Sequence, residues 1–376
     1  MSEYQYYEFR AIDRALSEVE KKELSTLSSR ARITSHQASF IYNYGDFRGN
    51  EVQLMERCFD IMLYMADWGS LRLMIRLPVS LVDIKKVALF SVSDEIDCIL
   101  SEDKKHIILD FNFQDDGSDD WLHAESWLDD LLDLRAELMQ GDFRALYLAW
   151  LLAAAHILDD GEVDADLLEP PLPAGLQRLS TAQVAWCKFL GVDKALVAVA
   201  AELSKPRQEK KINVALWLDK LPAKEQRKFL LRLAHGEENL SALLNRKLEK
   251  MAKKGQVDGA KDVSTNRSIA ELLERQDEHK RDQQAEHQRQ LEIARQQRLA
   301  VLATRQDEAW QEVYDLIEEK KSKSYDKAVT ILKGLCDLAH HQDDWQSFKE
   351  QVVEIKRCYP GRSALLRKLS SAELID

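Results

Sequence analysis

Four aspartates stand close together in the sequence, where their carboxylate oxygens could hold a divalent cation. They are Asp115, Asp116, Asp119 and Asp120, and they follow a predicted strand that ends near Phe113. Mg²⁺ and Ca²⁺ prefer oxygen ligands of this kind, so one interpretation is a metal-dependent hydrolase or nuclease. The spacing does not match an EF-hand loop, and the same residues also suit a solvated loop that leads into a helix N-terminus. The sequence leaves both interpretations open.

Other motifs for catalysis or cofactor binding are missing from the sequence. It contains no G-x-S-x-G nucleophile elbow, no phosphate-binding G-x-x-x-x-G-K and no dinucleotide-binding G-x-G-x-x-G. The five cysteines are all at least 22 residues apart, which excludes C-x-x-C zinc and redox motifs. We therefore expect no cofactor, no nucleotide hydrolysis and no NAD chemistry, and we expect the thiols to be reduced and mostly buried.

A loop rich in glycine and aromatic residues is the most site-like stretch of the first hundred residues. Its candidate contacts to a ligand or a peptide are Tyr42, Tyr44, Asp46, Phe47 and Arg48. The two glycines of the loop permit positive φ, and its aromatic rings offer stacking surfaces. The alternative is a turn between a strand and a helix, with aromatic side chains that close the core.

A basic block offers the best candidate surface for nucleic acid. Residues 205–254 contain 14 basic and 6 acidic residues, and the candidate contacts are Lys210, Lys211, Arg227, Lys228 and Arg232. Phosphate contacts need such cations, so weak, salt-dependent binding is one interpretation. Residues 94–170 contain 4 basic and 22 acidic residues, so the two blocks could instead attract each other within one chain.

The order of predicted elements indicates an α+β fold. The chain of 376 residues is 45% apolar, which is enough for a buried core. Residues 4–12 favour a strand, 17–27 a helix, 31–44 two strands, 50–66 a helix and 71–77 a strand. This β-α-β-β-α-β order is typical of a ferredoxin-like α/β sandwich. A further hairpin is predicted around residues 103–105.

The remainder of the chain is predicted to be helical. A proline-rich connector at residues 169–175 interrupts these helices. Residues 260–333 contain neither glycine nor proline, and a continuous helix is predicted from 274 to 319. The predicted segments are an α+β head (1–115), a helical domain (116–255), a long polar helix (256–321) and a C-terminal helical docking module (322–376).

The C-terminal module is predicted to bind a protein partner, together with the long helix that precedes it. The candidate docking residues are Tyr325, Leu332, Leu335, Phe348 and Leu366, which recur on apolar helix faces. Three short helices make a thin core, so the module is expected to lean on the preceding helix or on a partner.

Two stretches of the chain resemble known families. YEFRAIDR (7–14), NYGDFRG (43–49), LRLMIRLP (71–78), EPPLPAGL (169–176) and LGVD (190–193) resemble a family of uncharacterised bacterial proteins. That resemblance implies no activity. YDKAVTIL (325–332), LCDLA (335–339) and SALLRKL (363–369) resemble the C-terminal helices of bacterial SWIM zinc-finger proteins. The CxC and CxH zinc ligands of those proteins are absent here, so the resemblance implies a shared, DNA-associated partner system without the zinc.

These observations together favour a non-enzymatic scaffold or adaptor. Residues 145–158 form the most apolar run, and 14 residues are too few for a membrane span of about 20. The N-terminus carries no recognisable signal peptide, so a cytoplasmic protein without membrane contact is expected. Metal-dependent hydrolysis and weak nucleic-acid binding are the alternatives.

Overall fold

The structure, a computed structural model, describes residues 4–114, 124–159, 161, 167–207, 213–253, 265–372 and 374. It divides into two compact units, Met1–His279 and Lys280–Asp376. This division falls inside the segment predicted as a long polar helix. The segment boundaries at 115, 255 and 321 stay predictions.

An antiparallel sheet of seven strands lies at the centre of the first unit. In chain order the strands are β1 (Gln5–Arg10), β2 (Arg32–Ile33), β3 (Gln37–Tyr42), β4 (Ile61–Ala66), β5 (Ser70–Pro78), β6 (Ile96–Leu100) and β7 (His106–Gln114). Their order across the sheet is β2-β3-β1-β4-β5-β7-β6, and every neighbouring pair is antiparallel. The hairpin predicted around residues 103–105 is the β6–β7 turn, where Lys104 has a φ of 56°.

The first four strands confirm the α+β class and the ferredoxin-like order. Helix α1 (Glu18–Ser25) connects β1 to β2, which runs parallel to β1 with β3 between them. Helix α2 (Glu51–Arg57) connects β3 to β4, which runs parallel to β3 with β1 between them. These are two split β-α-β units. Strands β5, β7 and β6 extend the sheet beyond β4.

The helix predicted over residues 50–66 is wrong in its second half. Helix α2 is capped by Asn50, whose side chain accepts from the Gln53 N–H, and it ends at Arg57. Residues 61–66 of the predicted helix instead form β4. In the ferredoxin-like order β4 is the fourth strand, a place that the sequence assigned to residues 71–77. Five of the six β4 residues are buried, so this strand lacks the alternation of apolar and polar residues that reveals a strand.

The two faces of the sheet carry two separate cores. On one face Phe9, Phe40 and Met62 pack with Leu24 of α1 and Met55 of α2. The opposite face packs against helices from the predicted helical domain. Its buried residues include Ile61, Leu63, Leu73, Ile75, Leu109 and Phe111 of the sheet and Leu128, Leu134, Trp150 and Trp186 of the helices. The sheet and these helices therefore share one core.

Ten of the α-helices described in the chain begin after β5 and before residue 270. They are α3 (Ile84–Val87), α4 (Ala124–Leu131), α5 (Asp133–Met139), α6 (Arg144–Asp159), α7 (Thr181–Leu190), α8 (Lys194–Ala201), α9 (Val214–Asp219), α10 (Ala223–Ala234), α11 (Leu240–Lys253) and α12 (Ile269–Thr304). Helices α4 and α5 are separated by an interruption after Leu131. None of the helices in the described part of the chain is both long and apolar enough to cross a membrane.

A buried group of ions attaches α5 to the sheet. The Arg135 guanidinium donates to both carboxylate oxygens of Asp13 (2.9 and 2.7 Å) and to Asp60 (3.1 Å). Asp60 also pairs with Arg76 at 2.7 Å, and the side chains of Arg135 and Asp60 are 2% and 1% exposed. Asn239 donates to Asp13, which brings the start of α11 to the same group. The ions compensate one another, as buried charges must.

A second buried group joins α6 to the proline-rich connector and to the residues before α12. Arg267 donates to both carboxylate oxygens of Glu169 at 3.0 and 2.9 Å, and the Tyr147 hydroxyl also donates to Glu169. Burial, with Glu169 close by, raises the pKa of Tyr147, so the hydroxyl stays protonated. The connector is irregular, as its prolines predict, and this network fixes its position.

The second unit is a helical module with its own core. The end of α12 precedes α13 (Gln306–Glu318), α14 (Ser322–His341), α15 (Trp345–Cys358) and α16 (Ser363–Ser371). The core is formed by Trp310, Val313, Ile317, Leu332, Leu335, Phe348, Ile355 and Leu365. The module therefore leans on the preceding helix, as expected. The single helix predicted over 274–319 is broken at Arg305, where φ is −127° and ψ 31°. Every position from 281 to 298 of α12 is exposed.

Candidate functional site

The loop that follows β3 is divided between core residues and exposed residues. Phe47 stacks on Tyr7, with ring centroids 4.6 Å apart, and lies within 6 Å of the rings of Phe9, Phe40 and Tyr42. Tyr42 is buried, and its hydroxyl donates to the Leu27 carbonyl at 2.9 Å. Tyr42 and Phe47 therefore close the core, which is the structural alternative that the sequence analysis left open.

Two glycines give the loop this conformation. Gly45 has a φ of 80°, which favours glycine. At Gly49 an added Cβ would lie 2.7 Å from the Phe47 ring, so this close approach needs the missing side chain. The loop can then turn from β3 into α2 while Phe47 stays in the core.

The exposed half of the loop lines a cleft of about 260 Å³, which we call the loop cleft. Its lining residues are Leu27, Ser28, Ser29, Arg30, Ile41, Tyr42, Asn43, Tyr44 and Arg48. Tyr44 is 76% exposed, and Arg30 and Arg48 are exposed as well. Asp46 is exposed and does not line the cleft. Arg30 was not among the predicted loop residues. It lies 18 residues before Arg48 and lines the same cleft because β2 and β3 form a hairpin.

The tyrosines next to this loop are held in their neutral form. Burial raises the pKa of Tyr7, and the neighbouring Tyr64 and Glu51 add to the effect. Burial also raises the pKa of Tyr64. Both hydroxyls stay protonated at neutral pH and can donate hydrogen bonds. The Tyr7 hydroxyl donates to the Gln5 side chain at 3.1 Å.

Helices α9, α10 and α11 form a small cluster with an apolar face that the described residues leave uncovered. Phe229 of α10 packs with Leu221 and Leu240 in the centre of the cluster. On the same helix Leu230, Leu231 and Leu233 are 65%, 51% and 63% exposed. We call these three residues the α10 leucine face. Neighbouring exposed leucines on an ordered helix indicate a contact surface.

The basic residues of this cluster differ in their partners. Arg227 and Lys228 are exposed, and no ion pair joins them to another described residue. Arg232 instead pairs with Glu237 and lies 5.3 Å from the centre of the Phe229 ring. Lys210 and Lys211 lie outside the described residues, so the predicted nucleic-acid surface stays a prediction.

The predicted metal site also stays a prediction. Asp115, Asp116, Asp119 and Asp120 all lie outside the described residues. Within the part of the chain that the structure describes, no group of three or more His, Cys, Asp or Glu side chains is arranged to hold a metal ion.

Among the five cysteines only Cys58 is buried, so the expectation of mostly buried thiols is wrong. The thiols of Cys58 and of the half-buried Cys187 are held in their protonated form. Burial raises the pKa of Cys58 to about 11, with Glu20 adding to the effect. Burial alone raises the pKa of Cys187 to about 12. Since the thiolate is the reactive form, these two cysteines are unreactive at neutral pH.

Four of the five predicted docking residues of the tail lie in the core of the second unit. Tyr325, Leu332, Leu335 and Phe348 are buried there and hold the unit together. Leu366 is half-buried. Docking through this unit stays a prediction, and it would have to use the exposed residues of the unit.

Comparisons with protein-family models, with curated proteins and with solved structures find no match to this chain.

Proposed function

We propose that this protein is a non-enzymatic cytoplasmic adaptor that binds a protein partner through the α10 leucine face. The proposal rests on one observation: Leu230, Leu231 and Leu233 are each about half exposed or more. Removing such side chains from water on binding is favourable, by about 25 cal/mol per Å² of apolar surface.

The position of Phe229 separates this surface from the core of the cluster. Phe229 is 9% exposed and packs inside, so the cluster does not need the neighbouring leucines for its own packing. Leu230 and Leu233 are three residues apart and lie on one side of the helix. A groove or a helix of a partner can cover both residues at once.

The charge around the leucines indicates which partner fits. Lys224, Arg227 and Lys228 are exposed on the same helix, and Glu225 pairs with Lys247 at 2.6 Å. Cations at the rim of an apolar surface favour an acidic partner and increase the rate of association. We therefore propose an amphipathic acidic helix as the segment that is bound.

Capture of partners from lysate of the native host tests this proposal. The double variant Leu230→Glu/Leu233→Glu should lose the protein partner that the wild-type chain retains after nuclease treatment. Val19→Glu is the control, because Val19 is 68% exposed on α1, outside the α9–α11 cluster. Retention of the same partner by the leucine variant would contradict the proposal.

Nucleic-acid binding is the second candidate, because Arg227 and Lys228 are exposed without an ion pair to another described residue. Phosphate contacts would then dominate, and binding would weaken steeply with salt. Arg227→Glu/Lys228→Glu should abolish binding to a labelled DNA duplex in this case, while Leu230→Glu/Leu233→Glu should leave it nearly unchanged. DNA binding that survives Arg227→Glu/Lys228→Glu would contradict this second candidate.

A further inference from the structure

We propose that the loop cleft binds a short acidic peptide segment in an extended conformation. This goes beyond the proposed function, which rests on the α10 leucine face. The cleft belongs to the ferredoxin-like part of the first unit and is lined by residues 27–30, 41–44 and 48. Its charge, its open strand edge and its exposed aromatic side chain each support the proposal.

The charge of the cleft comes from two arginines. Neither Arg30 nor Arg48 forms an ion pair with another described residue, and the lining includes no Asp or Glu. Arginine donates two parallel hydrogen bonds to a carboxylate, and such charged bonds are stronger than neutral ones. Two cations in one cleft without a carboxylate of their own favour an anionic ligand.

The backbone of β3 provides an open strand edge beside these arginines. Strand β2 pairs with β3 at two positions only, Arg32 with Ser39 and Ile33 with Ala38. The Thr34 N–H donates to the Gln37 carbonyl, and the Ala11 N–H donates to the His36 carbonyl.

These bonds fix the direction of the backbone groups farther along β3. Because an antiparallel strand alternates its hydrogen-bonding sides, the N–H and C=O of Ile41 point away from β1. They point toward the side of the sheet where β2 has ended. No backbone hydrogen bond joins Ile41 to residues 27–31 in the described structure.

This open edge favours a peptide over a free anion. An extended chain can accept from the Ile41 N–H and donate to the Ile41 carbonyl, as in other complexes that add a strand to a sheet edge. An acidic side chain of that peptide then lies within reach of Arg30 and Arg48. Tyr44, which is 76% exposed, offers its ring to a neighbouring side chain of the peptide.

Fluorescence anisotropy with the full chain tests the charge requirement, with fluorescein-labelled hexaglutamate and hexaglutamine as probes. Hexaglutamate should bind and hexaglutamine should not. Arg30→Gln and Arg48→Gln should each weaken binding by about tenfold, the loss expected for one charged hydrogen bond. Arg178→Gln is the control, because Arg178 is exposed and does not line the cleft. No hexaglutamate binding, or equal binding by all three variants, would overturn the proposal.

Hydrogen exchange at the Ile41 amide tests the extended conformation. Saturating hexaglutamate should slow this exchange, whereas inorganic phosphate should not. Hexaglutamate that is N-methylated at its central residues should bind less tightly, because it cannot donate to the Ile41 carbonyl. Binding without any change in Ile41 exchange, or equal binding of the methylated peptide, would overturn the proposed strand addition. The cleft would then bind its ligand through negative charge alone. Neither result depends on the α10 variants, so the two proposals fail separately.

Discussion

At the scale of single residues, the ions that attach α5 to the sheet allow a direct test of how much buried ion pairs contribute to stability. Arg135→Ala leaves Asp13 and Asp60 buried without their main cation, so we expect a loss of about 3–5 kcal/mol in the free energy of unfolding. Urea unfolding of the full chain measures this loss. Arg57→Ala removes a pair with Glu23 in which both side chains are more than half exposed, and it should cost about 0–1 kcal/mol. Equal losses in the two variants would contradict this account.

The same ions predict a dependence of stability on pH. Burial opposes the ionisation of Asp60, but Arg135 and Arg76 outweigh it, and the pKa of Asp60 is held below its usual value of 3.8. Ionised Asp60 therefore stabilises the fold above its unfolded pKa, and this contribution is lost as the pH falls through the lower folded pKa.

Asp60→Asn tests this dependence. The variant should be less stable at neutral pH, and its free energy of unfolding should change less between about pH 5 and pH 2. A series of urea unfolding curves across this range checks both expectations. The free energy of unfolding of the variant should still depend on pH to some extent, because two other carboxyl groups have lowered pKa values. Arg144 lowers the pKa of Asp142, and Arg14 lowers that of Glu20. An unchanged slope in the variant would contradict the assignment to Asp60.

Residue-level prediction from the sequence succeeds where a signal is local. The capping boxes at Ser17 and Ser180 are signals of this kind, because each one involves residues only three positions apart. The loop residues Tyr44 and Arg48 were also found as neighbours in the sequence. Arg30 was missed, because its place in the cleft depends on the pairing of β2 with β3.

At the scale of elements, the adaptor proposal requires α10 to separate stability from binding within five residues. Phe229→Ala should destabilise the α9–α11 cluster by about 3 kcal/mol, because Phe229 packs in its centre. Leu230→Glu/Leu233→Glu should change stability by no more than about 0.5 kcal/mol per substitution, since both leucines are exposed. Hydrogen exchange of the α10 amides measures both effects. A large loss of protection in the leucine variant would make these residues structural.

Burial explains why the residues of β4 were predicted as the second half of a helix. Strand β4 is buried on both faces, and its apolar run from 61 to 66 continues the spacing of α2. A short apolar run of this kind fits either a helix or a strand. The break of the long helix at Arg305 was missed for a different reason, since neither glycine nor proline marks it.

At the scale of the whole molecule, two compact units with separate cores predict two unfolding transitions. Deleting residues 322–376 removes α14 to α16, which cover Trp310, Val313 and Ile317 of α13. The truncated chain should lose the transition of the second unit and keep that of the first with an unchanged Tm, because the sheet has its own core. Differential scanning calorimetry measures both transitions. Loss of the first transition would show that the tail supports the sheet.

The α+β class of the molecule was predictable from the sequence, whereas the packing of the helices on the sheet was not. The α+β order follows from local patterns along the chain. Which helices cover the second face of the sheet depends on contacts such as that of Trp186 with Phe111, whose ring centroids are 5.1 Å apart across 75 residues of sequence. Sequence periodicity shows that a helix has an apolar face and does not show what that face meets.

Site-specific photo-crosslinking tests the adaptor proposal most directly. A benzophenone-bearing residue replaces Leu230 in the full chain, or replaces Val19 in the control, and cells of the native host are irradiated. The proposal predicts a protein adduct of discrete mass from position 230, absent from position 19 and lost when Leu233→Glu is added. No adduct from position 230, an adduct consisting of nucleic acid, or the same adducts from both positions would contradict it.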